Sequence, residues 1–223
     1  MKLYSYWRST TSFRVRAVMN LKGLNYECVP VDLVAGEQNS ESYVALNPGK
    51  GVPSLVLDDG TVLTQSLSII DYLDALWPDP PMLPQDPLAR SRVLSVALAV
   101  ATDIHPVNNL RVLARLARTF GADNAAKQHW MQHWMVEGFD QVAALLPPGD
   151  GFAFGGAAPD LADICITTQL YNAHRWGVDP GRWPRLLAVE AACLALPAIA
   201  AAHPDNQPEA DASSGNTTRK EQA

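Results

Sequence analysis

The sequence predicts two units, an α/β domain built on a mixed four-stranded sheet and an all-helical domain after it. Three observations carry that expectation. The strand and hairpin signals end before residue 80, a proline-rich stretch follows over residues 78–87, and Ala-, Leu- and Val-rich segments fill the chain beyond it.

Residues 2–6 read as a short strand. Val15, Val18 and Met19 then recur at helical spacing, and Gly23 sits where such a helix would end. Residues 26–31 alternate Tyr, Cys and Val with polar side chains and predict a second strand. Residues 42–46 form a short helix stopped by Asn47-Pro48. Two apolar runs, 54–57 and 62–64, flank Asp59-Gly60, a dipeptide suited to a tight hairpin. Residues 68–76 are helical again, up to Trp77-Pro78. The resulting order, βαβ, short helix, ββα, makes the first two strands parallel and the closing pair antiparallel, as in a thioredoxin-like domain.

The domain boundaries expected are 1–80, a linker over 81–87, a helical domain over 88–203 and a disordered polar tail over 204–223. Helices are predicted over 88–119, 123–146, 160–176 and 184–202. Asp160 and Asp163 have the spacing of a helix capping box, which is a structural signal.

Composition narrows the function. With 17 basic and 23 acidic residues the net charge is -6, which disfavours a nucleic-acid partner but leaves room for a local cationic cleft. No apolar run is long enough to span a bilayer, and the first ten residues lack the apolar core of a secretory signal. The expectation is a cytoplasmic protein without a membrane partner. Cys28, Cys165 and Cys193 are odd in number and lack CxxC spacing, so they read as reduced, buried thiols with neither a disulfide nor a metal site.

Three segments could carry chemistry. Arg8-Ser9-Thr10-Thr11-Ser12 places four hydroxyls between the first strand and the first helix, where an anion meets a helix N-terminus. Simple N-capping explains the same residues. For a bound thiol, one hydrogen bond to the charged sulfur is worth about 1.5–3 kcal/mol. A pKa unit corresponds to about 1.4 kcal/mol, so that bond plus the helix dipole makes the thiol largely thiolate near neutrality. The second segment, residues 47–53, puts Val52-Pro53 at the entry to the third strand. A cis bond there would turn the Val52 amide and carbonyl outward to pair with an extended peptide. The third, Gln65-Ser66, opens a helix at a strand end and suits a carboxylate, or equally an N-cap.

Together and in this order, these segments resemble the glutathione site of the glutathione transferase superfamily, over residues 1–203. The zeta class, with its maleylacetoacetate and maleylpyruvate isomerases, is most similar. Its signature Ser-Ser-Cys-x-Trp-Arg-Val-Arg aligns with Ser9-Thr10-Thr11-Ser12-Phe13-Arg14-Val15-Arg16. Residues 45–48, 52–53, 65–70, 83–87, 103–106 (Asp-Ile-His-Pro) and 161–163 (Leu-Ala-Asp) match as well. The class cysteine falls on Thr11, which argues against cysteine-dependent reductive dehalogenation.

The resemblance implies reduced glutathione as cofactor and a homodimer. Ser9 and Thr11 would hold the thiolate, with Ser9 giving the main hydrogen bond and Arg8 beside them. Lys50, Val52 and Pro53 would hold the peptide backbone, Gln65 and Ser66 the γ-glutamyl end, and His105 and Asn109 would face the site. Arg8, Arg111 and Arg175 are the candidate clamps for a small dicarboxylate substrate, since an arginine fork matches a planar carboxylate. The implied activity is cis–trans isomerisation of maleylacetoacetate to fumarylacetoacetate in aromatic catabolism. Thiolate adds to the conjugated double bond, the carbon chain rotates, and elimination restores the bond as trans. The rivals are a maleylpyruvate isomerase, a generalist glutathione transferase and a non-catalytic binding protein of the same fold. Three arginines count against an apolar generalist pocket, and intact Ser9, Gln65 and Ser66 against a non-catalytic module.

Overall fold

The computed structural model describes residues 1–210. The chain forms two compact units, one of Met1–Pro80 with residues 195–210 and one of Pro81–Leu194. Among the described residues no helix is long and apolar enough to cross a membrane.

The first unit runs β1 (Lys2–Ser5), α1 (Thr10–Leu21), β2 (Glu27–Pro30), α2 (Glu41–Leu46), β3 (Ser54–Val56), β4 (Val62–Thr64) and α3 (Ser66–Leu76). Its strands lie in the order β2-β1-β3-β4. β1 is parallel to β2, with Leu3 opposite Cys28, and antiparallel to β3, with Tyr4 opposite Ser54. β4 returns antiparallel to β3, with Thr64 opposite Ser54. This mixed register gathers the C-terminal ends of β1 and β4 and the N-terminal end of β3 at one end of the sheet. Leu3, Leu55, Phe13, Ile69, Ile70 and Leu73 are fully buried in this unit's core. α3 starts at Ser66, two residues before its apolar pattern, directly off β4.

The buried face of α1 is partly polar. Arg16, 1% exposed, donates through Nε and Nη2 to the Ala202 carbonyl at 3.1 and 3.0 Å. It also reaches the Ser5 hydroxyl at 2.9 Å and the Trp7 carbonyl at 3.1 Å. Asn20 Nδ2 donates to the Ala198 carbonyl at 3.0 Å. Both acceptors belong to α9 (Pro197–Ala202), so a guanidinium sits on the carbonyl end of that helix, where its charge suits the helix dipole.

These contacts correct three expectations. The helix read over 184–202 is two helices, α8 (Pro184–Leu194) and α9, because Pro197 supplies no N–H to continue the first and starts the second. Residues 195–202, read as part of the helical domain, belong to the first unit. Of the tail expected to be disordered from 204, Pro204–Asn206 makes a 3₁₀ turn and Ala210 is buried; residues 211–223 lie outside the described residues. A fourth correction is Cys28, which is exposed because β2 is the edge strand, whereas Cys165 and Cys193 are buried.

The second unit contains α4 (Pro87–Leu98), α5 (Leu110–Phe120), α6 (Asn124–Leu145), α7 (Leu161–Arg175) and α8. α7 is its centre, with every residue from Leu161 to Ala173 buried. The single helix read over 88–119 is interrupted. After α4 the backbone widens into π-helical turns over Ala99–Ile104, with the His105 N–H donating to the Val100 carbonyl at 2.9 Å, and Pro106–Asn108 tighten into a 3₁₀ turn. Pro106 is the cause: it has no N–H for the carbonyl four residues back.

α6 meets the widened segment at Gly138, where a Cβ would lie 2.1 Å from Ile104 Cγ1. Replacing a helical glycine by alanine gains up to about 1 kcal/mol of propensity, but overpacking costs about 1–3 kcal/mol. Gly138→Ala therefore lowers the urea midpoint, and Ile104→Ala costs less in that background than in the parent protein, because it also relieves the clash.

At the start of α7 the capping box is complete. Asp160 accepts from the Ala162 and Asp163 amides at 2.8 and 3.3 Å, and Asp163 accepts from the Asp160 and Ala153 amides at 2.8 and 2.6 Å. Burial, then the Asp163 charge, push Asp160 up to about 7. The folded state thus holds a proton that the unfolded chain releases near pH 4. Stability from this site is present below pH 4 and lost as pH rises through about 7. Asp160→Asn keeps an acceptor oxygen and removes the charge. It should stabilise the fold by on the order of 2 kcal/mol at pH 8 and by little at pH 4, a difference read from urea denaturation at the two pH values.

Candidate active site

The gathered strand ends place three segments together: residues 6–12 after β1, 47–53 before β3, and 65–66 after β4. Ser9 is the N-cap of α1, its Oγ accepting the Ser12 N–H at 3.2 Å. Its hydroxyl lies 2.8 Å from Thr11 Oγ1, which donates to the Val52 carbonyl at 2.9 Å. The first two segments are therefore bonded directly through side chains.

The 47–53 segment is held by buried polar groups. Asn47, 6% exposed, accepts from the Gly49 N–H at 2.9 Å and donates to the Gly51 carbonyl at 2.8 Å and the Ser54 hydroxyl at 2.9 Å. The Tyr43 hydroxyl donates to the same Gly51 carbonyl at 2.6 Å. Burial pushes the Tyr43 phenol up, so it remains a donor through the neutral range. Val52-Pro53 is cis, with Pro53 buried. The Val52 carbonyl, expected to be free for a peptide, already accepts from Thr11, since a hydroxyl in reach of a half-buried carbonyl bonds to it; one lone pair stays open. The Val52 N–H has no acceptor among the described residues.

Gln65 is exposed and precedes α3 without capping it, while Ser66 is 5% exposed at the helix N-terminus. Lys50 (φ 52°) and Gln65 (φ 68°) are the non-glycine residues with positive φ among the described residues. Such outliers concentrate at functional sites, and both are candidate glutathione contacts. Arg14, 1% exposed, reaches Ser66 Oγ from Nη1 at 3.5 Å, bringing positive charge behind Ser66. Arg14 lies within the class signature, and its sequence signal is a charged residue between the apolar Phe13 and Val15 of α1. Arg8 is exposed, its guanidinium 4.2 Å from the Trp7 ring centroid.

The other four candidates lie in the helical unit. His105 ends the π-helical segment, and Asn109 caps α5 by accepting the Arg111 N–H at 3.1 Å. Arg111 is exposed in the first turn of α5. Arg175 ends α7, exposed, 5.7 Å from the Trp176 ring centroid. Among the described residues no group of three or more His, Cys, Asp or Glu could hold a metal ion.

Residues 8–76 match the family model of the glutathione S-transferase N-terminal domain, a stretch that contains all eight candidates of the first unit. Over 215 residues the chain is 45% identical to the maleylacetoacetate isomerase of Pseudomonas aeruginosa, covering 95% of this chain and all of the relative. The solved holo structure of a maleylpyruvate isomerase, described as a bacterial zeta-class glutathione S-transferase, superposes with a TM-score of 0.89 at 44% identity, covering 93% of this chain and 99% of that one. The chain belongs to the zeta class of the glutathione transferases. A maleylacetoacetate isomerase from Methylobacterium extorquens, solved with malonate and glutathione bound, is 37% identical with a TM-score of 0.89, covering 94% of this transferase and 99% of its own chain.

The Asn47 clamp in this transferase can be tested without ligand. Asn47→Asp keeps the acceptor for Gly49 but removes both donors and turns a second acceptor on the Gly51 carbonyl. Denaturation should show a loss of about 2 kcal/mol, and hydrogen exchange at the Gly49 and Lys50 amides should quicken.

Proposed function

We propose that this transferase is a glutathione-dependent cis–trans isomerase that converts maleylacetoacetate to fumarylacetoacetate, acting as a cytoplasmic homodimer. The observation that carries the reading is the Ser9 hydroxyl at the N-terminus of α1, 2.8 Å from Thr11 and its bond to the Val52 segment, whose N–H lacks an acceptor among the described residues. A hydroxyl donor and an open peptide N–H on neighbouring segments fit a cysteinyl tripeptide. The names of the relatives support the reaction, and the malonate bound with glutathione in the Methylobacterium enzyme supports a dicarboxylate substrate.

Ser9 binds the sulfur and holds it ionised, helped by the positive end of α1. Lys50, Val52 and Pro53 hold the peptide. Gln65 and Ser66 take the γ-glutamyl carboxylate at the N-terminus of α3, with Arg14 behind. His105 and Asn109 complete the glutathione contacts from the helical unit. When bound, glutathione supplies the thiolate whose reversible addition to a conjugated double bond permits rotation. The exposed guanidiniums of Arg8, Arg111 and Arg175 hold the two substrate carboxylates and keep them oriented while the chain rotates. The exposed apolar side chains of Val62 and Leu76 in the first unit, and of Leu88 and Leu98 in the second, are available to a subunit interface.

Maleylpyruvate is the second reading, favoured by the 44% identity to a zeta-class maleylpyruvate isomerase. An ultraviolet assay of both substrates, each with and without glutathione, decides between them; turnover of neither overturns the proposal. Arg8→Lys and Arg175→Lys keep the charge but lose the fork. Each should lower kcat/KM by about ten- to a hundred-fold, from a contact worth about 1.5–3 kcal/mol, with glutathione affinity nearly intact. Arg111→Lys should act in the same direction with a smaller effect. Parental kinetics in all three variants would favour the generalist transferase.

A further inference from the structure

The oxygens of Ser9, Thr11 and Val52 form a chain of bonds 2.8 and 2.9 Å long, and its proton order follows from chemistry alone. A carbonyl only accepts, so the single hydroxyl proton of Thr11 lies on the Val52 carbonyl. The bond between Ser9 and Thr11 must then take its proton from Ser9. Ser9 Oγ accepts in turn from the Ser12 N–H at 3.2 Å. Both hydroxyl protons therefore run one way, from Ser9 to Thr11 to Val52.

We propose that Thr11 is a positioning residue and not a thiolate donor: it ties the Val52 segment to the start of α1 and leaves Ser9 as the hydroxyl whose proton can turn to the sulfur. The two hydroxyls are unequal because of what each must give up. Ser9 releases its proton from Thr11 by rotating one C–O bond, and Thr11 keeps its own bond to Val52. Thr11 could donate to sulfur only by abandoning a half-buried carbonyl, which would also loosen residues 47–53 from α1. The second lone pair of that carbonyl remains open to a ligand N–H. Peptide binding at Val52 and the orientation of the Ser9 proton are thereby coupled through one side chain.

The inference rests on the reading that a glutathione thiol sits at Ser9, and its test separates the two. Calorimetry gives glutathione affinity, thiolate absorbance against pH gives the bound-thiol pKa, and hydrogen exchange at the Gly49 and Lys50 amides is followed without ligand. Thr11→Val should weaken glutathione about ten-fold and quicken the exchange, while the bound-thiol pKa stays level or falls because Ser9 loses its competing acceptor. Thr11→Ser should restore affinity and slow exchange. Ser9→Ala should raise the bound-thiol pKa by about one unit or more with under about three-fold change in affinity, and leave the exchange in place. A Thr11→Val protein with a raised pKa, or one with parental affinity and exchange, overturns the positioning role. If the parent protein binds no glutathione, the functional reading falls by itself. The exchange comparison then still decides whether Thr11 holds the Val52 segment.

Discussion

The mixed register of the four-stranded sheet is the constraint on which the site depends. β1 runs parallel to β2 and antiparallel to β3, and β4 turns back along β3. Only with this combination do two strand ends that open helices and one that starts a strand share an edge. Sequence-distant hydroxyls, amides and a cis proline are thus brought within bonding reach, and the bond from Thr11 to Val52 spans 41 residues of chain. A one-residue slip of β3 would turn Leu55 out of the core and move Val52 away from Thr11, so core packing and site geometry are protected by the same register.

Buried polar groups stabilise the parts of the first unit that hydrophobic burial cannot specify. Arg16 covers carbonyls of α9 and of the turn after β1, and Asn47 with Tyr43 fixes a turn rich in glycine and proline. In both cases a backbone segment with few partners of its own receives donors from one or two buried side chains. Such groups are costly to leave unpaired and therefore select one arrangement over its neighbours. The loop before α7 repeats the pattern. Arg185 donates to the Gly151 and Ala153 carbonyls at 2.7 and 2.9 Å, while Asp163 accepts the Ala153 N–H.

Local signals in the sequence were strong where local chemistry decides. Asp59-Gly60 marked the hairpin, Asn47-Pro48 the end of α2, and Asp160 with Asp163 the start of α7, because each depends on residues within a few positions of one another. The 88–119 reading failed at a place with a local cause: Pro106 was visible, but a proline can kink a helix or break it, and packing against Gly138 accompanies the widening into π turns. The 184–202 reading failed locally at Pro197, but the placement of α9 in the first unit has a nonlocal reason, since Arg16 and Asn20, far away in the chain, supply the donors that hold α9 to α1.

By itself the sequence determined the α/β and helical units, the polarity of the strand pairs, the segments of the candidate site and, through its motif, the zeta class. These follow from periodicity, turn chemistry and residue order, which are properties of neighbouring residues. Tertiary structure alone decided that residues 195–210 complete the first unit, that Arg14 stands behind Ser66, and that the Val52 carbonyl is held by Thr11 while its N–H is left open. The resemblance puts Ser9 ahead of Thr11 but gives no role to Thr11 beyond the thiolate. Their difference lies in where each proton goes, and a hydrogen bond across 41 residues exists only once the sheet has brought its two partners together.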